Sequence, residues 1–282
     1  MTAPIARIVL ANRRLRWSTP RTFNDPFDVQ FDLRMVIDRA QIRRLTLQKM
    51  WDDLYGAEPG PPANQVGVIM RYMRGRMPAW NIEQLEDNMG DALDKSLDGG
   101  DAAWLRFQLE AREQLKNSKI LCLTTAPENF LMWTHYAGQH TGAVLGFRNA
   151  PGLDSPWGEA RPVNYVDQMP ALIDDEEFSN VLAGRANLEA SAVIDKLVYT
   201  KSDAFAYEQE RRIYSGDGRN AEADFEDLEF HENELDSVTL GPRILPEDED
   251  AIRGLVAASY GQVEMRRAIL EPNRFGIRII PA

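Results

Sequence analysis

The spacing of hydrophobic residues divides the chain into a short extended start, a helical block and a long mixed remainder. In RRLRWS, residues 13–18, polar and apolar side chains alternate up to Thr19 and Pro20, which predicts a short strand closed by a turn. Between residues 38 and 117, apolar residues recur at three- and four-residue intervals, with Gly and Pro breaks between the segments. This pattern predicts a helical insertion after the first strands.

Strand patterns recur through the rest of the chain and alternate with helical ones. Strands are predicted in KILCLTT (119–125), TGAVLGF (141–147), RPVNYVDQ (161–168), near residues 208–214, and in SVTLGPRI, VEMRRAIL and FGIRIIP. Helices are predicted in NFLMWTHYA after a capping box formed by Thr125 and Glu128, from Ala171 to about Lys196, and in PEDEDAIRGLVAASYG. The acidic run 217–236 is predicted to be a solvated loop. We therefore predict an α+β fold with a mixed, mostly antiparallel central sheet, in a single domain 1–282 with helical insertion 38–117.

Composition narrows the class of protein. A length of 282 residues suits one large domain, and no apolar run approaches the roughly 20 residues that a membrane span needs. The single cysteine, Cys122, excludes an internal disulfide framework, and we expect a cytoplasmic protein without a signal peptide or membrane contact. Net charge is −12, although residues 1–78 hold 13 Lys and Arg against 7 Asp and Glu. This balance argues against general coating of nucleic acid.

The segment YEQERRIY places charged side chains two positions apart. Residues i and i+2 of a strand point to the same side, so Glu208, Glu210 and Arg212 are expected on one face. Two carboxylates about 7 Å apart repel each other, so one is suited to proton transfer while the arginine holds the other ionised. The alternative is an exposed ladder of Glu and Arg with little energetic weight.

The segment MWTHYAGQHTG contains two of the three histidines of the chain. A helix that ends at Gly138 puts His135 in its last turn and His140 just beyond. Trp133 and Tyr136 are three residues apart and share a helix face, and aromatic rings beside histidines suit a planar ligand such as a nucleobase or nicotinamide. The alternative is a packed helix whose C-terminal histidine favours the helix dipole. The histidine spacing fits no common zinc site, so no metal ligands are assigned.

The segment WSTPRTFNDPFD combines a strand end with a tight turn. Ser18 at the strand end, with Asn24 and Asp25 in the turn, is placed to hydrogen-bond sugar hydroxyls. Alternatively, Asn24 and Asp25 only build the turn through bonds from side chain to backbone. On the preceding strand, Arg14 and Arg16 are candidates to hold a pyrophosphate, with a solvated basic surface as the alternative.

These three motifs, in this order, resemble a widespread bacterial family catalogued as domain of unknown function 2971. Its pattern has an FNDP segment, a W-S/T-HYA-x-x-H-x-G segment and a final YE-x-E-x-R segment, and the resemblance spans roughly residues 8–280. The family usually opens with a strand that contains Tyr-Lys-Tyr-Arg, for which only residues 6–7 or 13–14 stand in here. The resemblance implies no assigned activity.

The order of a basic strand, a Ser-containing strand and an E-x-E strand is also similar to ADP-ribosyltransferases. By this analogy NAD is the substrate, and Glu210 stabilises an oxocarbenium-like transition state while Glu208 positions the acceptor. His135 would line the nicotinamide pocket together with the two aromatic residues of its helix. The analogy implies a transferase or NAD glycohydrolase with a toxin or antiphage-defence role.

Two other classes of function remain open. One is a non-catalytic nucleotide-sensing or protein-binding module, for which Glu210→Gln would leave binding intact. The other is a metal-dependent nuclease that uses Asp25, Asp28, Glu208 and Glu210, which would depend on divalent ions. A small-molecule nucleotide is the expected partner, while the sequence indicates neither a macromolecular acceptor nor an oligomeric state.

Overall fold

A computed structural model describes residues 1–31, 33–35 and 37–282. The α-helices are α1 (Ala3–Asn12), α2 (Arg39–Tyr55), α3 (Gln65–Met73), α4 (Ile82–Lys116), α5 (Phe130–Tyr136), α6 (Asp175–Leu182), α7 (Ala190–Val198) and α8 (Pro246–Ser259). The strands are β1 (Arg14–Ser18), β2 (Arg34–Met35), β3 (Ile120–Thr124), β4 (Ala143–Phe147), β5 (Arg161–Pro162), β6 (Asn164–Val166), β7 (Ala171–Ile173), β8 (Thr200–Ser202), β9 (Glu210–Tyr214), β10 (Phe225–Glu229), β11 (Leu235–Leu240), β12 (Glu264–Leu270) and β13 (Ile277–Pro281). The α+β class with mostly antiparallel strands is confirmed.

The chain forms two compact units. The first unit comprises residues 1–30, 114–167 and 198–282, and the second comprises residues 31–113 and 168–197. The second unit holds α2, α3 and α6, most of α4 and α7, and the small parallel sheet of β2 and β7. The helical block expected between residues 38 and 117 is therefore present, although α4 is one continuous helix where the sequence pattern suggested two. The single domain stays a prediction.

The first unit contains two larger sheets around one apolar core. A five-stranded antiparallel sheet has the order β10-β1-β3-β9-β5, and a four-stranded sheet has the order β13-β12-β11-β4, with β11 and β12 parallel. Side chains from both sheets, α1 and α8 share the core, which includes Leu10, Trp17, Leu121, Val238 and Ile252. Burial of these side chains, at about 25 cal/mol per Å² of apolar surface, is what holds α1 and α8 against the sheets.

The five-stranded sheet has one apolar face and one polar face. Strand residues alternate between faces, and residues paired across strands share a face. Leu15, Trp17, Leu121 and Ile213 point to the core, so the intervening residues point the other way. This second set, which we call the polar face, includes Arg14, Arg16, Ser18, Cys122, Thr124, Glu210, Arg212, Phe225 and Asp227.

Several sequence-based predictions of structure are wrong. Helix α1 lies before residue 13, where no element was predicted, and the acidic run 217–236 contains strand β10. In place of one helix from Ala171 to about Lys196, the structure has strand β7 followed by helices α6 and α7. Helix α5 is capped by Asn129, whose side chain accepts from the Leu131 N–H, and not by a box at Thr125 and Glu128. None of the helices in the described part of the chain combines the length and apolar content that crossing a membrane requires.

Candidate functional site: a buried charge cluster

Five ionisable side chains of the first unit meet under the polar face. Asp28, Lys201, Glu208, Glu210 and Arg212 are each no more than 8% exposed, and we call them the charge cluster. Glu210 and Arg212 share one face of β9, as expected, whereas Glu208 precedes the strand and reaches the same cluster from outside it. The alternative of an exposed ladder of Glu and Arg does not hold, because the three side chains are buried.

The backbone conformation of Gln209 explains how Glu208 and Glu210, on either side of it, both reach Lys201. Glu208 ends a 3-10 helix (Asp203–Glu208) and Glu210 begins β9, so the strand starts two residues later than the sequence suggested. Gln209 between them adopts a left-handed conformation with φ +44°. This conformation is uncommon for a residue with a Cβ, and it turns the chain so that both acids face Lys201.

Lys201 lies between three carboxyl groups. Its Nζ is 2.6 Å from Glu208 Oε2, 3.1 Å from Glu210 Oε2 and 3.3 Å from Asp28 Oδ2. Burial by itself lowers the pKa of the ammonium, but the charges of Glu210, Asp28 and Glu208 together raise it. Lys201 is therefore cationic throughout the physiological pH range.

Arg212 is the second cation of the charge cluster and is fully buried. Its Nε donates to Glu210 Oε1 at 2.8 Å, and its Nη2 donates to Glu210 Oε2 at 2.9 Å and to Asp28 Oδ2 at 2.7 Å. Its Nη1 donates to the Val198 carbonyl at 2.7 Å. Burial raises the pKa of the Glu210 carboxyl, but its bonds to Arg212 and the charge of Lys201 outweigh burial and lower it. Glu210 is therefore ionised.

Asp28 differs from the other two acids. Burial raises its pKa, and the opposing charges of Arg212 and Lys201 do not reverse that shift. Its Oδ1 is buried and has no hydrogen-bond partner among the described residues. Two cations serve three carboxyl groups, so one carboxyl has no cation of its own, and these observations identify it as Asp28.

The FNDPF turn presents Asp28 to the charge cluster. Asp25 Oδ1 accepts from the Phe27 N–H at 2.9 Å and its carbonyl accepts from the Asp28 N–H, so Asp25 builds the turn. Val29 follows with φ +62° and is buried. A β-branched residue in this region is strained, and surrounding packing must hold it there.

Tyr136 connects helix α5 to the charge cluster. Its hydroxyl donates to Glu208 Oε1 at 2.6 Å, and burial followed by this bond raises the pKa of the phenol. The exposed His135 ring lies 6.2 Å from the Tyr207 ring, next in sequence to Glu208. His135 lies in the last turn of the helix, as expected.

Trp133 and His140 do not face the charge cluster. The Trp133 ring is buried against Ala137, Ala268 and Ile277, and its N–H donates to the Pro127 carbonyl at 2.7 Å. No face of the ring is therefore open to a planar ligand. His140 Nε2 lies 3.0 Å from Thr134 Oγ1, and burial, then the charge of Arg243, lowers the pKa of the imidazole.

The remaining predicted ligand residues lie on or near the polar face. Ser18 is half-buried at the end of β1, and Asn24 is exposed. The Arg16 guanidinium pairs with Asp227 at 3.1 Å and stacks on the Phe225 ring at 3.6 Å. Arg14 is exposed on the same face. No described contact joins these residues to the charge cluster, so their shared role stays a prediction.

Cys122 lies on β3 directly opposite Arg212 and is exposed. Although the residue as a whole is exposed, the protein atoms around its thiol reduce the hydration of a thiolate, and this desolvation, then the Glu210 charge, raises the pKa of the thiol well above the usual range. An exposed cysteine with a high thiol pKa is a poor nucleophile at neutral pH, so a catalytic thiol is not assigned.

Two members of the site were not identified from sequence. Lys201 lies in a three-residue strand with no motif around it, and Tyr165, whose hydroxyl accepts from the Glu210 N–H at 2.7 Å, lies on β6. The sequence indicates Asp28 only as a metal ligand of the nuclease alternative. Neither strand pattern carries a signal for buried charge, because the partners come from distant segments.

The arrangement of the charge cluster also bears on metal binding. Among the residues that the structure describes, no three His, Cys, Asp or Glu side chains are placed to hold a metal ion. The Lys201 ammonium occupies the position between the carboxyl groups where a cation would bind. The arrangement therefore gives no support to the metal-dependent nuclease.

A cavity of about 510 Å³ lies beside the E-x-E motif in the first unit. Its lining comprises residues 125–129, Gln209, Glu264, Arg266 and residues 279–281. Gln209 is the residue of the E-x-E motif that lines the cavity, and none of the predicted ligand-binding residues is part of the lining.

These observations define an α+β protein with a fully buried charge cluster at the edge of a polar sheet face. Residues 132–213 match the model of a family described as Protein of unknown function (DUF2971). The predicted resemblance is thereby confirmed over the segment that carries the MWTHYAGQHTG motif and most of YEQERRIY. The RTFNDPFD motif lies outside the matched segment. Comparison with curated proteins and with solved structures finds no match.

Proposed function

We propose that this chain is an enzyme that cleaves the ribosyl bond of a nucleotide such as NAD, as ADP-ribosyltransferases and NAD glycohydrolases do. The observation that carries the proposal is Glu210, an ionised carboxylate held in a buried environment by Arg212 and Lys201. Departure of nicotinamide leaves positive charge on the ribose. A fixed anion in a low-dielectric site stabilises such charge more strongly than water does.

The neighbouring residues suit accessory roles in this reaction. Glu208 is bound by both Lys201 and the half-exposed Tyr136, so it can orient an acceptor hydroxyl next to Glu210. The exposed Arg14 on the polar face suits a phosphate, and His135 lies on the side of Tyr136 and Tyr207. A toxin or antiphage-defence role would follow from consumption of NAD.

The proposal has a structural consequence. Both oxygens of Glu210 accept hydrogen bonds from cations, and its side chain is only 6% exposed. A ribose hydroxyl that binds Glu210 therefore has to share or replace a contact with Lys201 or Arg212. Substrate binding and rearrangement of the charge cluster are then one event.

The same saturation of Glu210 favours a second candidate, a non-catalytic nucleotide-sensing module. A carboxylate whose oxygens are already satisfied serves to fix the position of its neighbours, in which case Glu210 would shape a binding surface without taking part in chemistry. This candidate predicts nucleotide binding without turnover.

Nicotinamide release from NAD by the purified protein separates the two candidates. The enzyme predicts release by wild type, a loss of about 100-fold or more in Glu210→Gln, and retained NAD binding by calorimetry. Glu234→Gln is the matched control, since Glu234 is equally buried, and its carboxylate accepts from the His231 N–H outside the charge cluster. NAD binding without release, with or without cell extract as an acceptor source, supports the module, and absence of both release and binding refutes both candidates.

A further inference from the structure

The position of Asp28 raises a question about what its second oxygen binds. Oδ2 accepts from Arg212 and is 3.3 Å from the Lys201 ammonium, whereas Oδ1 is buried and has no partner among the described residues. A buried carboxylate oxygen without a donor costs free energy, and nearly all such groups in folded proteins are paired. Ion-pairing with the two cations therefore accounts for only half of this carboxyl group.

The charge balance of the cluster leads to the same conclusion about Asp28. Among the described residues, the three acids Asp28, Glu208 and Glu210 pair with two cations, Lys201 and Arg212, so the ionised cluster carries one negative charge more than it has positive charges. Burial disfavours the ionised form of Asp28 and raises its pKa. The same carboxyl group thus has the spare oxygen and the uncompensated charge.

The backbone is also strained directly after Asp28. Val29, immediately after Asp28, is a buried β-branched residue at φ +62°. Strain of this kind costs on the order of 1 to 3 kcal/mol and is concentrated at binding and catalytic sites, where the required position of one side chain outweighs it. The turn is thus held in a costly conformation that delivers Asp28 to the charge cluster.

We propose that Asp28 is a ligand-binding carboxylate whose Oδ1 accepts a hydrogen bond from a hydroxyl group of the ligand. This inference rests on the proposed function, in which the hydroxyl belongs to the ribose next to the scissile bond. A ribose hydroxyl supplies the donor that the charge cluster lacks, and it can at the same time accept from a neighbouring cation. Asp28 is then a third acid of the site, beside Glu208 and Glu210.

The variant Asp28→Asn tests this role because it replaces one hydrogen-bond acceptor by a donor. Arg212 and Lys201 are donors, so the amide oxygen must take the position of Oδ2 and the amide NH₂ that of Oδ1. The free acceptor thereby becomes a neutral donor, with almost no change in shape. Asp53→Asn is the matched control. Asp53 is also buried, but both of its oxygens are bonded, to Arg185 and to the Gly60 N–H.

Two readouts follow, of which the first needs no ligand. When ionised, the third acid leaves one negative charge of the cluster uncompensated, and Asp28→Asn removes that charge, so the urea midpoint of Asp28→Asn at pH 7 should equal or exceed that of wild type, whereas Asp53→Asn should lower it. In calorimetry, Asp28→Asn should weaken NAD binding about tenfold, and Asp53→Asn should not. A gain or retention of stability combined with a loss of affinity is not expected of a purely structural ion pair.

A ligand-side change completes the test without relying on the fold of a variant. An NAD analogue with a 2′,3′-dideoxyribose next to nicotinamide should bind wild type more weakly than NAD, and the ratio should shrink in Asp28→Asn, because both changes remove the same bond. Equal ratios in the two proteins would overturn the inference, as would a lower urea midpoint with unchanged affinity. If wild type binds neither ligand, the proposed function fails, and a urea midpoint of Asp28→Asn below that of wild type would then overturn the assignment of the uncompensated charge to Asp28.

Discussion

Removal of the Lys201 ammonium is the sharpest perturbation of the charge cluster. In Lys201→Met, Glu210 and Asp28 keep Arg212, but Glu208 loses the cation bonded to it and keeps only the Tyr136 hydroxyl. Loss of one partner from a buried ion pair costs about 3 to 5 kcal/mol, because the other charge stays buried. With one carboxylate left uncompensated, we expect a loss of this size in the free energy of unfolding at pH 7.

The pH dependence of the stability loss in Lys201→Met is a second, independent test of the prediction. Burial already raises the pKa of the Asp28 carboxyl in wild type, and without the Lys201 ammonium this folded-state pKa rises further. Such groups contribute stability below their unfolded pKa that is lost as the pH rises through their folded pKa. In wild type, Glu210 has the opposite effect. Because its pKa is lowered in the folded state, the ionised group contributes stability above pH 4.5 that is lost as the pH falls. The difference between wild type and variant should therefore shrink from pH 7 to pH 5.

Urea unfolding followed by tryptophan fluorescence and circular dichroism measures both effects. Lys196→Met is the control, since Lys196 is 31% exposed and pairs with Glu177 at the surface, where a pair contributes about 1 kcal/mol or less. Adding Glu208→Gln to Lys201→Met should recover about 1 to 3 kcal/mol, because it removes the stranded charge. A loss of under about 1 kcal/mol in Lys201→Met, or a difference that does not change with pH, would refute the account of the charge cluster.

Two further predictions concern its neighbours. Cys122 is the single cysteine, and its thiol pKa is raised. At pH 7, iodoacetamide should therefore modify Cys122 at least about tenfold more slowly than it modifies glutathione, and the rate should still rise above pH 9. A rate that reaches a plateau below pH 9 would contradict this prediction. Gln209 is exposed at φ +44°, so Gln209→Gly should leave thermal stability equal or higher, whereas Gln209→Val should lower it by about 1 to 2 kcal/mol; equal melting temperatures for the two variants would show that the left-handed turn is not required.

The sequence predicts the strands of the first unit best where a strand has one apolar and one polar face. The alternation in RRLRWS identifies β1, since Leu15 and Trp17 point to the core and the arginines point away. Strand β10 was missed because its sequence, FEDLE, is acidic and forms a strand only by pairing with β1, whose Arg16 neutralises Asp227. An edge strand of this kind is determined by a partner about 200 positions away, which local periodicity cannot show.

Helix α1 was missed for a related reason. Its N-cap residue, Thr2, makes no side-chain cap bond, and the helix has no acid in its first turn or base in its last turn, so Pro4 in the first turn is a weak signal by itself. The helix is stabilised by packing, since Ala6, Val9 and Leu10 enter the core. Short helices depend on such tertiary burial more than on intrinsic propensity.

The candidate site shows the same limit in its chemistry. Motif spacing was enough to place Glu210 and Arg212 together, because they are two residues apart in β9, whereas Glu208 joins them through the left-handed turn at Gln209. It could not supply Lys201 or the role of Asp28, because a charged residue is stable inside a protein only next to partners that the chain brings from elsewhere. For the same reason Trp133 looked like a ligand platform and is a core residue.

The energetic costs at the charge cluster favour function over scaffolding as the reason for its existence. Replacing a buried ion network by well-packed apolar side chains is often neutral or stabilising, so stability alone does not require five buried charges. Here the network also carries an unpartnered oxygen on Asp28 and strained backbone at Val29 and Gln209. Costs that coincide in one place, beside a polar sheet face, are expected where a ligand repays them on binding. An ionised Glu210 and an Asp28 oxygen without a donor are what the proposed cleavage of a ribosyl bond requires, because a ribose offers hydroxyl groups and gains positive charge as nicotinamide leaves.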